Sequence, residues 1–377
     1  MKIVAIKEKA LYEKRIAITP TIVKMYTSLG LEVLIEKGAG ESANFSDESF
    51  SKAGATLFTS VADTLKKTDI LLKVQPTPNK DKACETKLMQ KDSVIIGTLS
   101  PFQNKELLQE YAANHISSFA LELLPRITRA QEMDILSSQS SLTGFRAVID
   151  AANHFAKIFP MLVTSAGTIS PAKVLVLGTG VAGLQAIATA KRLGAVVTGF
   201  DVREAAKESV ESLGAKFVFP KIQNLETKAG YAKEASKNEQ AVIQETIAEQ
   251  VKKADIVIST ALIPGKKPPI LLTKTMIETM RQGSVVVDLV ASHGGNCELT
   301  KANEVINHKG ITIIGHANYS SLVAEDASSL YARNIFNFVK LLYNKETKTL
   351  NIDLSDDIIK ATLLTYKGKI TQEQFSK

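Results

Sequence analysis

The sequence predicts an α/β protein with two Rossmann-like domains, in which a doubly wound domain is inserted into a discontinuous α/β domain. Three observations support this fold class. Short β-rich runs alternate with helical patterns before residue 138, a strand-glycine-helix-strand segment follows, and two long helical stretches bracket that segment. The length of 377 residues suits two domains. We place the outer domain at residues 1–138 and 326–377, and the inserted domain at residues 139–325.

Five β-rich runs mark the strands of the outer domain. They are KIVAIK, LEVLIEKG, DILLKV, SVIIGTL and ISSFALEL, and helical patterns such as ITPTIVKMYTSLG and NKELLQEYAANH separate them. This alternation is typical of a parallel sheet. Long helices are predicted from Ser138 to Phe159 and from Ser328 to Tyr343. Because the chain must return to the outer domain after an inserted domain, we expect the C-terminal residues to complete the outer domain.

A strand, a glycine-rich turn and a helix follow one another over residues 174–193. The apolar run VLVL predicts a buried parallel strand, and Gly178, Gly180 and Gly183 form the pattern G-x-G-x-x-G before a helix that starts at Leu184. The first glycine permits a tight turn, the second lets the backbone approach a pyrophosphate, and the third lets the helix pack closely on its strand. The alternatives are a purely structural turn and a membrane helix, because the start of the segment is uncharged.

A second strand, AVVTGF, ends at an acidic residue, Asp201, which lies about 20 residues beyond the glycines. A carboxylate there accepts hydrogen bonds from the adenosine ribose and repels a 2′-phosphate. Arg203 could support a 2′-phosphate, but Asp201 occupies the ribose position itself, which favours NAD over NADP. A third apolar strand, DIVIST, brings the residues after it to the carboxyl end of the sheet, where the riboses lie. The inserted domain is therefore predicted to bind NAD(H), through Gly178, Gly180, Val181, Ala182, Gly183, Asp201, Val202, Arg203, Thr260, Ala261 and Leu262.

The composition argues against several other classes of protein. The net charge is +7, but the lysines are scattered among glutamates without an aromatic-basic motif, so we expect no nucleic-acid partner. A solvated basic surface, an acidic partner protein and an anionic membrane face all remain open. Cys84 and Cys297 are predicted to be reduced thiols, and with five scattered histidines they match no metal-ligand spacing, so no metal is expected. The N-terminus lacks the apolar core of a signal peptide, and nothing else resembles a membrane span.

Several segments, spread over almost the whole chain, resemble a known family. They are KEKALYEKRIAITP, GAGESANFSDESF, PRITRAQEMDILSSQSSLTGFRAV, the glycine segment, GYAKEAS, STALIPGKKPP and GSVVVDLVASHGGNCELT. In this order they resemble the soluble, NAD(H)-binding alpha-type subunits of proton-translocating NAD(P) transhydrogenase, within the alanine dehydrogenase/transhydrogenase family. Alanine dehydrogenases share this fold, so the two activities must be separated by their chemistry.

An alanine dehydrogenase needs proton-transfer groups around its substrate, and this sequence departs from that set. By resemblance, the substrate lysine falls on Gln75, the catalytic histidine on Ser100 and the aspartate on Ser292. Of the substrate set only Arg15 remains, and it either holds a carboxylate or closes a helix or domain contact. His293 does not restore the missing groups. The roles of Arg15 and His293 stay open.

The resemblance also implies that the loop from Arg126 to Ser138 holds the nicotinamide. Arg126 and Asp134 would contact its carboxamide and ribose region, and Ser137 would add a hydrogen bond. Gln131 would reach across to the NADP(H) side. The alternative for this loop is a charged hinge in which Arg126 and Asp134 pair with each other.

A charged, glycine-containing stretch at residues 221–239 predicts a mobile loop. Within it, Gly230, Tyr231 and Ala232 resemble the loop that closes over the bound nucleotide in the transhydrogenase subunits. The alternative is that Tyr231 is an ordinary exposed aromatic residue.

The resemblance implies that the chain is half of an enzyme. It would bind NADH and pass a hydride to NADP⁺ on a partner component, while membrane-spanning subunits couple this step to proton translocation. Positioning is then the chemical task, because hydride transfer needs no acid or base. The family implies a homodimer docked at the cytoplasmic face of the inner membrane, touching the membrane only through its partners. An NAD-dependent amino-acid dehydrogenase and an NAD-binding regulatory protein are the alternatives.

Overall fold

The computed structural model describes residues 1–77, 84–222, 225, 233, 235–263 and 265–375. The chain divides into two compact units. The first contains Met1–Gln139 and Ser321–Lys377, and the second contains Ser140–Ser320.

The helices and strands alternate along most of the described chain. The N-terminal segment of the first unit contains β1 (Lys2–Ala5), α1 (Pro20–Ser28), β2 (Glu32–Glu36), α2 (Asp47–Lys52), β3 (Thr56–Phe58), α3 (Val61–Leu65), β4 (Ile70–Leu72), α4 (Glu85–Leu88), β5 (Val94–Gly97), α5 (Lys105–Ala113), β6 (Ser117–Ala120) and the start of α6 (Ile135–His154). The second unit continues with β7 (Leu162–Thr164), β8 (Gly167–Ile169), β9 (Lys173–Leu177), α7 (Val181–Arg192), β10 (Val196–Phe200), α8 (Ala206–Ser212), β11 (Lys216–Val218), α9 (Lys237–Val251), β12 (Ile256–Ser259), α10 (Lys274–Ile277), β13 (Val285–Asp288), β14 (Val305–His308) and β15 (Ile311–Ile314). The chain then returns to the first unit with α11 (Ala324–Leu342), β16 (Tyr343–Asn344), β17 (Thr349–Leu350), α12 (Asp357–Thr362), β18 (Leu363–Tyr366) and β19 (Lys369–Ile370).

The first unit is built on an eight-stranded sheet with the order β19-β18-β6-β5-β4-β1-β2-β3. Strands β1 to β6 pair in parallel, and β18 pairs antiparallel with both β6 and β19. The C-terminal segment therefore completes this sheet. Helix α11 contributes aromatic side chains to the core, where Phe336 packs on Tyr26 with ring centroids 5.1 Å apart and Phe338 packs on Phe119 at 5.3 Å.

The second unit is a doubly wound sheet with the order β11-β10-β9-β12-β13-β15-β14. All neighbouring strands are parallel except β14 and β15. The strand order reverses between β9 and β12, which the Rossmann pattern in the sequence predicts. Both sheets and the insertion of one unit into the other confirm the predicted fold class.

Three helices begin earlier than the sequence predicted, and one of them, α11, starts at Ala324 rather than Ser328. Helix α7 starts at Val181 rather than Leu184, because the extended backbone of Gly180 (φ −71°, ψ −167°) already forms its N-cap. Helix α6 starts at Ile135 rather than Ser138, because the Asp134 carboxylate accepts a hydrogen bond from the Ser137 amide at 2.9 Å and so caps the first turn. Helix α6 also ends at His154, before the predicted end at Phe159.

Candidate nucleotide-binding site

The carboxyl ends of β9 and β12 lie side by side in the second unit, at the point where its strand order reverses. Residues Val174–Leu177 of β9 pair in register with Ile256–Ser259 of β12. Thr260, just after β12, donates from its amide to the Leu177 carbonyl at 2.8 Å and from its hydroxyl to the Gly178 carbonyl at 2.9 Å. In doubly wound sheets this crevice is where ligands bind.

The glycine turn after β9 has the backbone geometry that a dinucleotide site requires. Gly178 has φ 86°, and a Cβ atom there would stand 2.7 Å from the Thr260 hydroxyl. A Cβ atom on Gly183 would overlap the Gly178 carbonyl, so α7 packs tightly against the turn. A Cβ atom on Gly180 would meet nothing within 4 Å, and no side chain caps α7. The N-terminus of α7, with the amides of Val181 and Ala182, is thus open to an anion such as a pyrophosphate.

Asp201 ties the glycine turn to the end of β10. Its buried carboxylate accepts hydrogen bonds from the Thr179 amide at 2.8 Å and the Thr179 hydroxyl at 2.9 Å. Arg203 donates to it from its amide, Nε and Nη2 at 2.9, 2.9 and 2.7 Å. Although burial opposes ionisation, these Arg203 contacts hold the pKa of Asp201 below its usual value. Asp201 is therefore charged at neutral pH and paired with Arg203. Val202, the residue between them in the sequence, is half-buried.

The loop after β12 forms another wall of this region. Asn296 is fully buried, accepts a hydrogen bond from the Ala261 amide at 3.0 Å and donates to the Ala261 and Pro269 carbonyls at 2.9 and 2.8 Å. Leu262 is 42% exposed beside it. Thr260, Ala261 and Leu262 thus follow the carboxyl end of β12, and the buried asparagine fixes the backbone of Ala261.

Gly230, Tyr231 and Ala232, which the resemblance assigns to a closing loop, lie outside the described residues. Their role stays a prediction.

The loop from Arg126 to Ser137 belongs to the first unit and leads from β6 into α6. Arg126 and Gln131 are exposed. Ser137 donates to Asp134 from both its amide, at 2.9 Å, and its hydroxyl, at 2.6 Å. The structure therefore brings Asp134 and Ser137 together at the start of α6, with Gln131 on the preceding 3₁₀ turn, Thr128–Met133.

The three residues that the resemblance matches to alanine dehydrogenase substrate groups have partners within the described chain. Gln75 donates from Nε2 to Glu13 at 2.9 Å. Ser100 has φ 48°, and its amide donates to the Glu122 carboxylate. In the second unit, the Ser292 hydroxyl lies 3.1 Å from Nδ1 of His293, and burial lowers the pKa of that histidine.

Arg15 is engaged inside the first unit. Its Nε and Nη2 bind the two Glu13 carboxylate oxygens at 2.8 and 2.7 Å, and Nη1 donates to Gln139 at 2.8 Å. Burial raises the pKa of Glu13, but the Arg15 charge and hydrogen bonds outweigh it and hold the pKa below its usual value. The guanidinium fork is thus already directed at an internal carboxylate, which supports the structural alternative for Arg15.

Metal-binding clusters and membrane-spanning helices are both absent from the described ranges. No group of three histidine, cysteine or acidic side chains with metal-binding geometry occurs there. Within the same residues, no helix combines the length and the apolar character needed to cross a bilayer.

Models of one protein family match almost the whole chain. The alanine dehydrogenase/PNT N-terminal domain matches residues 4–143, and the corresponding C-terminal domain matches residues 147–373. The chain belongs to the alanine dehydrogenase/PNT family. This is a family of oxidoreductases that bind nicotinamide nucleotides, so the predicted family resemblance is confirmed.

Within this family, the transhydrogenase members are more similar to the chain than the alanine dehydrogenases. The first part of NAD(P) transhydrogenase subunit alpha from Rickettsia prowazekii is 47% identical over 98% of this chain and 96% of its own, and that from Rhodospirillum rubrum is 46% identical over 98% and 97%. The structure of a transhydrogenase from Sinorhizobium meliloti is similar, with a TM-score of 0.84 and 41% identity, covering 99% of this chain and 100% of that one. An L-alanine dehydrogenase structure has a TM-score of 0.80 at 25% identity, with 100% and 98% covered. The names of the two bacterial relatives, each one portion of a subunit alpha, imply further subunits in their assemblies.

Three residues of the region were missed in the sequence. Thr179 occupies a variable position of the glycine pattern, yet it supplies two of the donors to Asp201. Asn296 is buried, and the glycine pair before it, Gly294 and Gly295, was the available signal in the sequence. Arg129 pairs with Asp356, which is 227 residues away in the chain, so no local pattern could reveal the contact.

Proposed function

We propose that this chain is the NAD(H)-binding component of a proton-translocating transhydrogenase whose partner component binds NADP(H). One observation carries the proposal. Gln75, Ser100 and Ser292 stand where an alanine dehydrogenase has its proton-transfer groups, while the glycine turn and Asp201 are intact. A site that keeps the nucleotide-binding turn but lacks an acid and a base suits transfer between two nucleotides.

The second unit binds the nucleotide in this proposal. Asp201 accepts the hydroxyls of the adenosine ribose, and the amides at the start of α7 hold the pyrophosphate. Arg203 shares the Asp201 carboxylate with the ribose and screens its charge. Thr260, Ala261 and Leu262 flank the riboses at the end of β12.

The loop of the first unit orients the reacting ring. Bound NADH supplies a hydride, and NADP⁺ on the partner component accepts it. Arg126, Asp134 and Ser137 contact the nicotinamide region, and Gln131 reaches toward the nucleotide of the partner. The two hydrogen bonds from Ser137 hold the Asp134 carboxylate in one orientation before the cofactor arrives, which lowers the cost of positioning.

We also propose a homodimer that reaches the cytoplasmic face of the inner membrane only through membrane-spanning partner subunits. The β7-β8 hairpin supports the dimer, because Met161 and Val163 in and beside it are 62% and 68% exposed. Exposed apolar clusters of this kind are commonly interfaces between proteins. Light scattering should give twice the mass of the chain.

The amino-acid dehydrogenase alternative is tested with the purified protein alone. It should bind NADH in calorimetry but should not reduce NAD⁺ with L-alanine, nor oxidise NADH with pyruvate and ammonia, because the proton-transfer groups are absent. An authentic alanine dehydrogenase serves as the positive control. Robust turnover with alanine, or with any other amino acid in a substrate screen, would overturn the proposed function.

A further inference from the structure

The turn that carries Gln131 lies at the surface of the first unit. It is the 3₁₀ helix Thr128–Met133, in which Ala130 and Met133 are buried and Gln131 and Glu132 are exposed. The Ala130 amide donates to the Ile127 carbonyl at 3.0 Å, and the Asp134 amide donates to the Gln131 carbonyl at 3.2 Å. Short exposed turns of this kind populate several conformations unless other elements restrain them.

Arg129 connects this turn to the C-terminal segment of the same unit. Its Nη1 and Nη2 donate to the two carboxylate oxygens of Asp356 at 2.8 and 2.9 Å, which is the parallel two-bond geometry of a guanidinium fork. Asp356 also caps helix α12, accepting from the Ile358 and Ile359 amides at 2.8 and 3.4 Å. The fork therefore fastens the turn to an ordered helix terminus.

A second contact holds the other side of Gln131. The Glu132 carbonyl accepts from Nδ2 of Asn334 at 2.8 Å and from Nδ2 of Asn337 at 3.2 Å, both on α11. The Asn334 amide oxygen accepts in turn from the Ser138 hydroxyl at 2.7 Å. Gln131 thus lies between two residues, Arg129 and Glu132, that are each fixed by the C-terminal segment.

We propose that Arg129 and Asp356 form a positioning pair, which sets the orientation of the Gln131 turn and through it the rate of hydride transfer to the partner nucleotide. This inference rests on the proposed function of Gln131. Arg129 acts here through the turn and Asp356 acts from a different segment, so neither needs to touch a nucleotide. A rival explanation is an ordinary surface ion pair, which contributes little to stability and nothing to transfer.

The test measures single-turnover transfer from NADH, with the NADP(H)-binding partner component at saturating concentration. Arg129→Ala and Asp356→Asn should each slow transfer by about 10-fold to 100-fold, the scale expected when a reacting group is misplaced by about 1 Å. Calorimetry should give an NADH affinity within about 2-fold of the unmutated protein. The double variant should be no slower than either single variant, because both remove the same link.

The chain offers a matched control in Arg281. It is 54% exposed, as Arg129 is, and pairs with Asp255, which is 13% exposed against 14% for Asp356. Arg281→Ala removes a comparable ion pair from the second unit and should leave transfer unchanged. Arg129→Lys, which keeps the charge but not the fork, should restore only part of the rate.

Amide hydrogen exchange supplies a readout that does not depend on transfer. Exchange at residues 128–134 should accelerate in Arg129→Ala and Asp356→Asn, with the amides of β9 unchanged. If the unmutated protein transfers no hydride, the proposed function fails and the inference fails with it. If Gln131→Asn slows transfer while both fork variants keep the normal rate, the positioning pair is refuted and the proposed function stands. Additive losses in the double variant would mean that Arg129 acts by direct contact instead.

Discussion

Asp201 is the residue to which we assign cofactor selectivity. Its carboxylate receives five hydrogen bonds, two from Thr179 and three from Arg203. The Thr179 contacts fix the glycine turn. The Arg203 side chain is partly exposed, so it can move aside and leave the Asp201 carboxylate oxygens free to accept hydrogen bonds from a ribose. The spacing in the sequence predicted Asp201 correctly as the end of the second strand, but it could not show how the carboxylate is shared.

Replacing Asp201 by Asn should narrow the preference for NADH over NADPH. The ribose hydroxyls lose a charged acceptor and a 2′-phosphate loses its repulsion, so NADH affinity should fall about 10-fold or more while NADPH affinity falls less or rises. Calorimetry with both cofactors measures the difference between the NADH and NADPH affinities. Equal affinities in the unmutated protein would contradict the role given to this carboxylate.

A second residue, Glu122, makes the stability of the first unit depend on pH. Its buried carboxylate accepts from the Leu99 and Ser100 amides, but burial outweighs these bonds and raises its pKa to about 7. The folded protein therefore binds a proton that the unfolded chain, with a pKa near 4.5, releases. Stability should fall as pH rises from about 4.5 to about 7, and level off above that.

Glu122→Gln should remove this dependence. The glutamine does not titrate, so the variant should not lose stability between about pH 4.5 and about 7 as the unmutated protein does. Relative to the unmutated protein, its unfolding free energy should therefore rise by up to about 3 kcal/mol over this interval. Urea unfolding at pH 5, 6, 7 and 8 measures it, and taking the difference cancels the titration of other groups. A difference that does not change with pH would show that Glu122 ionises normally.

At the scale of elements, helices α6 and α7 approach each other closely at Gly144, which has no side chain to separate them. A Cβ atom on Gly144 would overlap the Ala182 carbonyl, so α6 lies directly against the first turn of α7. The amides at that turn are the proposed pyrophosphate site. Helix packing at this point therefore supports the backbone of the proposed pyrophosphate site, and the glycine pattern did not reveal it because Gly144 lies outside that pattern.

Gly144→Ala should weaken NADH binding although alanine is the better helix former by about 1 kcal/mol. The methyl group must push α6 away from the backbone of α7, which displaces the anion-binding amides. Gly30→Ala is the control. Gly30 has φ 80° with nothing within 4 Å of a Cβ, so this change costs about 1 kcal/mol in backbone strain without touching the site. If both variants bind NADH equally well, the α6-α7 contact is irrelevant to the cofactor.

Much of this architecture could be predicted from local patterns, and the exceptions share a physical cause. The β-rich runs and glycine turn predicted the parallel sheets because buried strands and tight turns leave signals within a few residues. The predicted starts of α6 and α7 were too late because hydrophobic periodicity locates a helix by its apolar positions. It does not detect the capping residues, Asp134 and Gly180, that set where each helix begins. The pairings of β18 with β6 and of Arg129 with Asp356 join residues more than 200 positions apart, so only the folded chain reveals them.

At the scale of the whole molecule, the two units differ in how their polar groups are engaged, and in the first unit several of them bind one another around Glu13. Glu13 accepts from Arg15, Gln75 and Ser321, so the polar groups at this position bind one another. The second unit keeps an open glycine turn and a charged Asp201. This contrast between substrate positions that lack an acid and a base and an intact nucleotide turn is what favours a chain that works with a second nucleotide-binding component.

The most direct test of that claim is stopped-flow measurement of hydride transfer from NADH, bound to this chain, to an NADP⁺ analogue on an NADP(H)-binding partner component. NADH becomes NAD⁺ as the analogue is reduced, so the analogue must be one whose reduced ring absorbs at a different wavelength from NADH, and absorbance at that wavelength reports the transfer. We expect rapid transfer in the mixture and none with either component alone, and Gln131→Asn should slow it about 100-fold while NADH affinity barely changes. A mixture of folded, nucleotide-loaded components that transfers no hydride would contradict the account, and would leave an NAD-binding regulatory protein as the better explanation.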